Sequence, residues 1–110
     1  MIEKTIAEIE ARITRARSIS ERTKANLLKE LAILKMEVGD LAKTHGEQAE
    51  SITRFAQAST HEATREQKDQ ELLDISLKGF SSSVKEFENS HPTLVQTANR
   101  IAQALANMGI

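Results

Sequence analysis

Cysteine, tryptophan and tyrosine are absent from this chain of 110 residues, and proline occurs once. Without cysteine, disulfides, thiolate metal ligands and thiolate nucleophiles are excluded. One proline and four glycines leave few interruptions to helix, and no segment alternates as a strand does. No apolar run is long enough to span a bilayer, and the first residues lack the apolar core of a secretory signal. We therefore predict a cytoplasmic, all-α protein that is not an integral membrane protein.

Large apolar side chains are also scarce. Apolar residues make up 39% of the chain, and 14 of them are alanine. The formal net charge of −1 removes the charge repulsion that keeps chains of low hydrophobicity disordered. The length suits one domain, so we predict a single helical domain over residues 1–110. Because a core with few large side chains is thin, burial shared between subunits would add stability.

Four apolar stripes run along the chain at alternating spacings of three and four residues, as on one face of a helix. Their members are Ile2, Ile6, Ile9, Ile13 and Ala16; Leu27, Leu31, Leu34, Val38 and Leu41; Leu73, Leu77, Phe80, Val84 and Phe87; and Leu94, Ala98, Ile101, Leu105 and Met108. The pattern predicts helices over about 2–17, 20–45 (or on to 58), 64–90 and 92–108. We expect antiparallel hairpins in an elongated, coiled-coil-like bundle of three or four helices.

Helix boundaries are marked by residues that cap helices. Ser18 has a glutamate three residues later, which matches a capping box, and Ser20 is a competing N-cap for the second helix. Gly46 could end that helix in a left-handed conformation. Ser59 and Thr64 are candidate starts for the third helix, since each also has a glutamate or glutamine three residues later.

The stretch 42–70 is the poorest in large apolar residues. Between Ala42 and Glu71 only Ile52 and Phe55 are large and apolar. Such a segment buries little and is either a mobile connection or a helical insert.

Pro92 interrupts the last two stripes. Proline lacks an amide donor and pushes the preceding residue out of helical dihedrals, so a helix must stop or kink here. Proline is favoured at the first helical position, which makes His91 the predicted N-cap and Ser90, or Asn89, an additional acceptor. Gly109 falls where a C-terminal capping glycine belongs and would place Ile110 over Leu105.

The final segment, FENSHPTLVQTANRIAQALANMGI from Phe87 to Ile110, resembles the C-terminal signature of a small bacterial family described as domain of unknown function 4404. The segment ELAILKMEV in the first hairpin is similar in character. Members of the family are shorter, so residues 42–70 depart from its pattern. The resemblance implies a short helical bacterial protein and no particular activity.

Glu88 and His91 have the Glu-x-x-His spacing with which di-iron bundles place two ligands on one helix face. A complete site needs a second such pair, and neither His45 nor His61 has a glutamate three residues earlier. Phosphate-binding glycine loops and catalytic triad patterns are also missing from the sequence. We expect no enzyme activity, no cofactor and no metal site.

A basic cluster lies around the first predicted turn, opposed there by Glu21. Its members are Arg12, Arg15, Arg17, Arg22, Lys24 and Lys29. Such a cluster could bind an anionic polymer or membrane surface. The slightly negative net charge and the lack of stacking aromatics other than phenylalanine argue against nucleic acid, so solvated side chains are the favoured interpretation.

Our leading functional hypothesis is a self-associating module, a homodimer or higher homo-oligomer that acts as a scaffold, adaptor or accessory protein. The alternative is a groove that captures an amphipathic helix from a partner, with Phe80, Phe87 and Leu94 as anchors.

Overall fold

Five α-helices make up most of residues 1–108, which are the residues that the computed structural model describes. They are α1 (Ile2–Arg15), α2 (Glu21–Leu41), α3 (Gly46–Thr64), α4 (Gln70–Val84) and α5 (Pro92–Met108), with a short 3-10 turn at Lys85–Phe87. The all-α prediction is confirmed. The number and shape differ from the expected elongated bundle of three or four helices, because the chain folds into five shorter helices. The bundle measures 37 × 25 × 22 Å.

The break between α1 and α2 is confirmed, but Ser18 is not the cap. The helix α1 ends at Arg15, and Ala16 is extended. The Ser20 hydroxyl accepts a hydrogen bond from the Thr23 amide at 3.1 Å, so Ser20 is the N-cap of α2.

The sequence predicts that the second helix ends at residue 45 or at residue 58, and both predictions are wrong. The helix ends at Leu41, and the His45 amide closes the following turn on the Leu41 carbonyl at 2.7 Å. Gly46 is not a left-handed C-cap, since no residue from 1 to 108 has a positive φ. Gly46 instead begins α3.

A full helix, α3, occupies most of the polar stretch 42–70. It packs against all four other helices and is therefore the central element of the bundle. The buried residues of α3 are Ala49, Ile52, Thr53, Ala56, Ser59, Thr60 and Ala63. All of these side chains except Ile52 are small, which lets α3 lie close to several neighbours at once. Thr53 and Thr60 donate to carbonyls four residues earlier, which satisfies their buried hydroxyls.

The predicted third helix, 64–90, is shorter at both ends. The chain leaves α3 at Thr64, and α4 begins after Asp69, whose carboxylate accepts from the Leu72 amide at 3.1 Å. The candidate starts at Ser59 and Thr64 both lie inside α3. Beyond Val84 the helix tightens into the 3-10 turn.

The last helix, α5, has the predicted bounds and begins at Pro92. Because α5 packs against α4 and α2, Pro92 follows a reversal of the chain and not a kink in one rod. Around the bundle the helices follow the order α1, α2, α5, α4 and α3, and α3 also reaches across to α5 and α2.

The four apolar stripes provide most of the core. Residues such as Ile6, Leu34, Phe80 and Leu94 are fully buried within one chain. No helix in the described part of the chain combines the length and apolarity needed to cross a membrane.

Candidate interaction surfaces

At the predicted helix boundary formed by Ser90, His91 and Pro92, the Ser90 side chain makes a different contact from the one expected. Pro92 is the first residue of α5, as predicted. The Ser90 hydroxyl, however, lies 2.9 Å from His91 Nδ1 and forms its hydrogen bond with that atom. The His91 amide donates to the Phe87 carbonyl at 2.8 Å. Gly109 and its proposed contact between Ile110 and Leu105 lie outside the described residues.

His91 belongs to a cluster of three edge-to-face rings, His45, Phe87 and His91, that sequence reasoning did not identify. The Phe87 ring lies edge-on to both His91 and His45, with 5.5 Å between ring centroids in each pair. His45 Nδ1 lies 2.8 Å from the hydroxyl of the preceding residue, Thr44. His91 Nδ1 makes the same kind of contact with the hydroxyl of its preceding residue, Ser90. The two turns before α3 and α5 therefore meet on Phe87.

The pair Glu88 and His91 gains no further ligands. Glu88 is exposed in the turn, and His91 faces Phe87. Within residues 1–108 no three histidine, cysteine, aspartate or glutamate side chains come together as metal ligands would.

The three predicted docking anchors are core residues. Phe80 and Leu94 are 0% exposed and Phe87 is 3% exposed. They fill the interior between α4, the 3-10 turn and α5, so they form no surface groove for a partner helix. The third and fourth stripes face each other, and each covers the large side chains of the other.

The basic cluster is divided by the fold. Arg15 and Arg17 line an open groove with Arg65 and Lys68, which come from the connection between α3 and α4. Arg12 borders it, since its Nε atom donates to the Thr64 hydroxyl at 2.6 Å. This groove was not foreseen, because the two segments that form it are about fifty residues apart in sequence.

The other predicted basic residues lie elsewhere. Arg22 and Lys29 are exposed on α2 and do not line the groove. Lys24 is mostly buried and donates through Nζ to the Thr14 carbonyl at 3.0 Å. Lys24 thereby neutralises part of the negative end of α1.

Helix α4 presents an apolar face to solvent. Leu72 and Ile75 are 41% and 59% exposed, and Phe55 of α3 is 39% exposed. The ring of Phe55 covers Gly79. Leu72, Ile75 and Gly79 recur at spacings of three and four, so they share one side of α4. We call Leu72, Ile75 and Gly79, together with the Phe55 ring that covers Gly79, the α4 face.

The α4 face is flanked by a row of charges. Glu71, Asp74, Lys78 and Lys85 are exposed at spacings of three, four and seven residues. Among the residues described, none of the four takes part in an ion pair. Sequence reasoning missed this face because Leu72 and Ile75 lie outside the predicted core stripe.

Comparison with known proteins gives one positive result. No curated protein and no solved structure matches the chain. The model of a family described as "Domain of unknown function (DUF4404)" matches residues 27–110, a span that includes α3 and excludes α1. The match covers most of the chain and agrees with the resemblance of the final segment. The chain therefore belongs to the DUF4404 family.

Proposed function

We propose that this protein is a self-associating helical module that acts as a scaffold or adaptor and not as an enzyme. In this proposal a second copy docks on the α4 face and forms a twofold homodimer. The observation that carries the proposal is the combination, on one helix, of exposed apolar side chains with charges arranged to complement themselves. The apolar core stripes no longer support self-association, since each chain buries its own.

The apolar part of the α4 face would supply the contact energy. Ile75 and Leu72 are exposed on α4, and the partly exposed ring of Phe55 covers Gly79 of the same helix. Small residues, including Ser82 and Ser83, border the ring. A neighbouring helix can approach such a surface closely, and burial of the exposed area favours association.

The flanking charges favour an antiparallel second copy. The acidic residues Glu71 and Asp74 lie in the first half of α4, Lys78 lies in the second half, and Lys85 directly follows the end of the helix at Val84. Two antiparallel α4 helices crossing near position 77 place Glu71 close to the second copy's Lys85, and Asp74 close to its Lys78. A parallel pair would oppose like charges, which is unfavourable.

The size of this surface sets the expected affinity. A helix of 15 residues is about 22 Å long. A pair of such helices buries less than the roughly 800 Å² per partner of a standard stable interface. We therefore expect a reversible dimer with a dissociation constant in the micromolar range.

Sedimentation equilibrium tests the proposal over concentrations from about 1 µM to about 500 µM. The wild-type chain is expected to shift from monomer to dimer. Ile75→Glu places a charge in the centre of the contact and should leave the chain monomeric throughout. The matched control is Met36→Glu, because Met36 is 74% exposed on α2, away from α4. That variant should dimerise as the wild type does.

A charge exchange tests the orientation. Lys78→Glu and Asp74→Lys should each weaken dimerisation, because each places like charges together. The double variant restores opposite charges across the twofold axis and should recover dimerisation. Helicity measured by circular dichroism checks that each variant is folded. A wild-type chain that is monomeric at the highest concentration, or equal effects of Ile75→Glu and Met36→Glu, would contradict the proposal.

A further inference from the structure

A groove lies at the end of the bundle where α1 and α3 terminate. Its volume is about 680 Å³, within the range of small-molecule sites. Its lining includes the cations Arg15, Arg17, Arg65 and Lys68, the hydroxyl of Ser18 and one acid, Glu66. Four cations against one acid give the groove a local excess of positive charge in a chain whose net charge is −1.

Two of the cations have structural partners and two do not. Arg65 forms an ion pair with Glu62, with Nη1 and Oε1 2.8 Å apart. Lys68 Nζ donates to the Ala63 carbonyl at 2.9 Å, near the end of α3. Arg15 and Arg17 form no ion pair with any residue from 1 to 108. Their guanidinium groups are thus available to a ligand.

The ends of α1 and α3 would by themselves repel an anion, because helix C-termini carry partial negative charge. Here Lys24 binds the Thr14 carbonyl and Lys68 binds the Ala63 carbonyl. These contacts offset the negative ends of both helices. The negative ends of α1 and α3 therefore weaken the positive potential of Arg15 and Arg17 less than they would without these two lysines.

We infer that this groove binds the phosphate chain of a small polyphosphate ligand through Arg15 and Arg17. Guanidinium groups form paired, charge-assisted hydrogen bonds with phosphate oxygens. The Ser18 hydroxyl adds a neutral donor. The lining contains no aromatic residue on which a base could stack, so recognition is directed at the phosphates.

The groove suits a compact ligand better than a nucleic-acid strand. A strand needs a continuous basic track of several phosphates, but Arg22 and Lys29 of the original cluster lie outside the groove. The neighbouring surface beyond Arg12 also carries Glu8 and Glu62, which interrupt the positive charge.

Isothermal titration with inorganic triphosphate tests the inference, without divalent cations and at about 20 mM salt, where screening is weak. The variant Arg15→Gln/Arg17→Gln removes both available guanidinium groups and should weaken binding by roughly tenfold or more. The control Arg22→Gln/Lys29→Gln changes the net charge equally on exposed positions of α2. It should weaken binding less than about twofold.

Several results would overturn the inference. They are no heat of binding for the wild-type chain, equal losses in the two double variants, or binding of a single-stranded oligonucleotide or anionic vesicles without binding of triphosphate. The test is independent of self-association, since Ile75→Glu should bind triphosphate as the wild type does. A monomeric wild type that binds triphosphate would remove the proposed dimer and support the groove.

Discussion

The ring of Phe55 in α3 rests on the backbone of Gly79 in α4, in the space that a Cβ atom at position 79 would occupy. Glycine inside a helix is unfavourable by roughly 1 kcal/mol relative to alanine. Glycine at position 79 allows α3 and α4 to approach closely and leaves space for the Phe55 ring against the backbone. The pair therefore links the central helix to the exposed α4 face.

Gly79→Ala should destabilise the wild-type protein by about 1 kcal/mol, because the loss of ring packing exceeds the gain in helix propensity. In a Phe55→Ala background the same change should stabilise by about 1 kcal/mol, since only the helix propensity acts. Urea denaturation of the four proteins measures both effects.

Gly39 in α2 is the matched control for this cycle. A Cβ atom there would meet nothing within 4 Å, so Gly39→Ala should stabilise the protein in either background. Equal stabilisation by Gly79→Ala with and without the Phe55 ring would show that the ring does not rest on Gly79.

Ala56→Leu should destabilise the fold by about 1–3 kcal/mol or more, because Ala56 is fully buried on the central helix and extra methyl groups must displace neighbouring helices. Ala58→Leu, two residues along the same helix, is exposed and should change stability by less than about 0.5 kcal/mol. Thermal and urea unfolding distinguish them. Similar results at both positions would mean that α3 is not the central element.

Phe87→Ala should cost about 3–5 kcal/mol, since a side chain that is 3% exposed leaves a cavity between His45 and His91. Phe55→Ala removes the same atoms from a site that is 39% exposed and should cost far less. Unfolding free energies from urea titration provide the comparison. If the two losses are equal, the Phe87 ring is not packed between the two histidines in solution.

Ser20→Ala should cost about 1 kcal/mol, because the hydroxyl caps the Thr23 amide. Ser18→Ala should have little effect, since α2 begins after Ser20. Asp69→Ala should cost about as much as Ser20→Ala, through the lost cap on Leu72. Circular dichroism with urea measures all three. A larger loss at Ser18 than at Ser20 would place the start of α2 earlier.

Large apolar residues made most of the core predictable from sequence. The stripe from Leu27 to Leu41 is buried throughout, and Phe80, Val84 and Leu94 face inward as their spacing indicates. The interruption of the helix at Pro92 followed from the covalent geometry of proline, whereas the reversal of the chain there is defined by the packing of α5 against α4 and α2.

The central helix could not be recognised in the same way. Its buried positions, such as Ala49, Ala56 and Ala63, keep the spacing of a helical stripe but carry small side chains. Hydrophobicity measures how much a residue gains from burial, and it does not show how closely two helices approach. A stripe of alanine, serine and threonine therefore resembles a solvated segment in sequence and is a packing surface in the fold.

Only one of the two segments that form the groove could be recognised from the sequence. Arg15 and Arg17 stand out in sequence because they are close together, whereas Arg65 and Lys68 become neighbours only when α1 and α3 end at the same side of the bundle. Likewise, the α4 face depends on Phe55 from another helix, and no local pattern specifies that contact.

The edge-on contacts of Phe87 with His45 and His91 couple two turns that are about 45 residues apart in sequence. Each histidine amide donates to the carbonyl four residues earlier, at 2.7 Å for His45 and 2.8 Å for His91. A fluctuation that withdraws the Phe87 ring removes packing from both turns at once. The amides of His45 and His91 should therefore exchange with solvent deuterium through one shared opening event, which makes this end of the bundle a single cooperative unit.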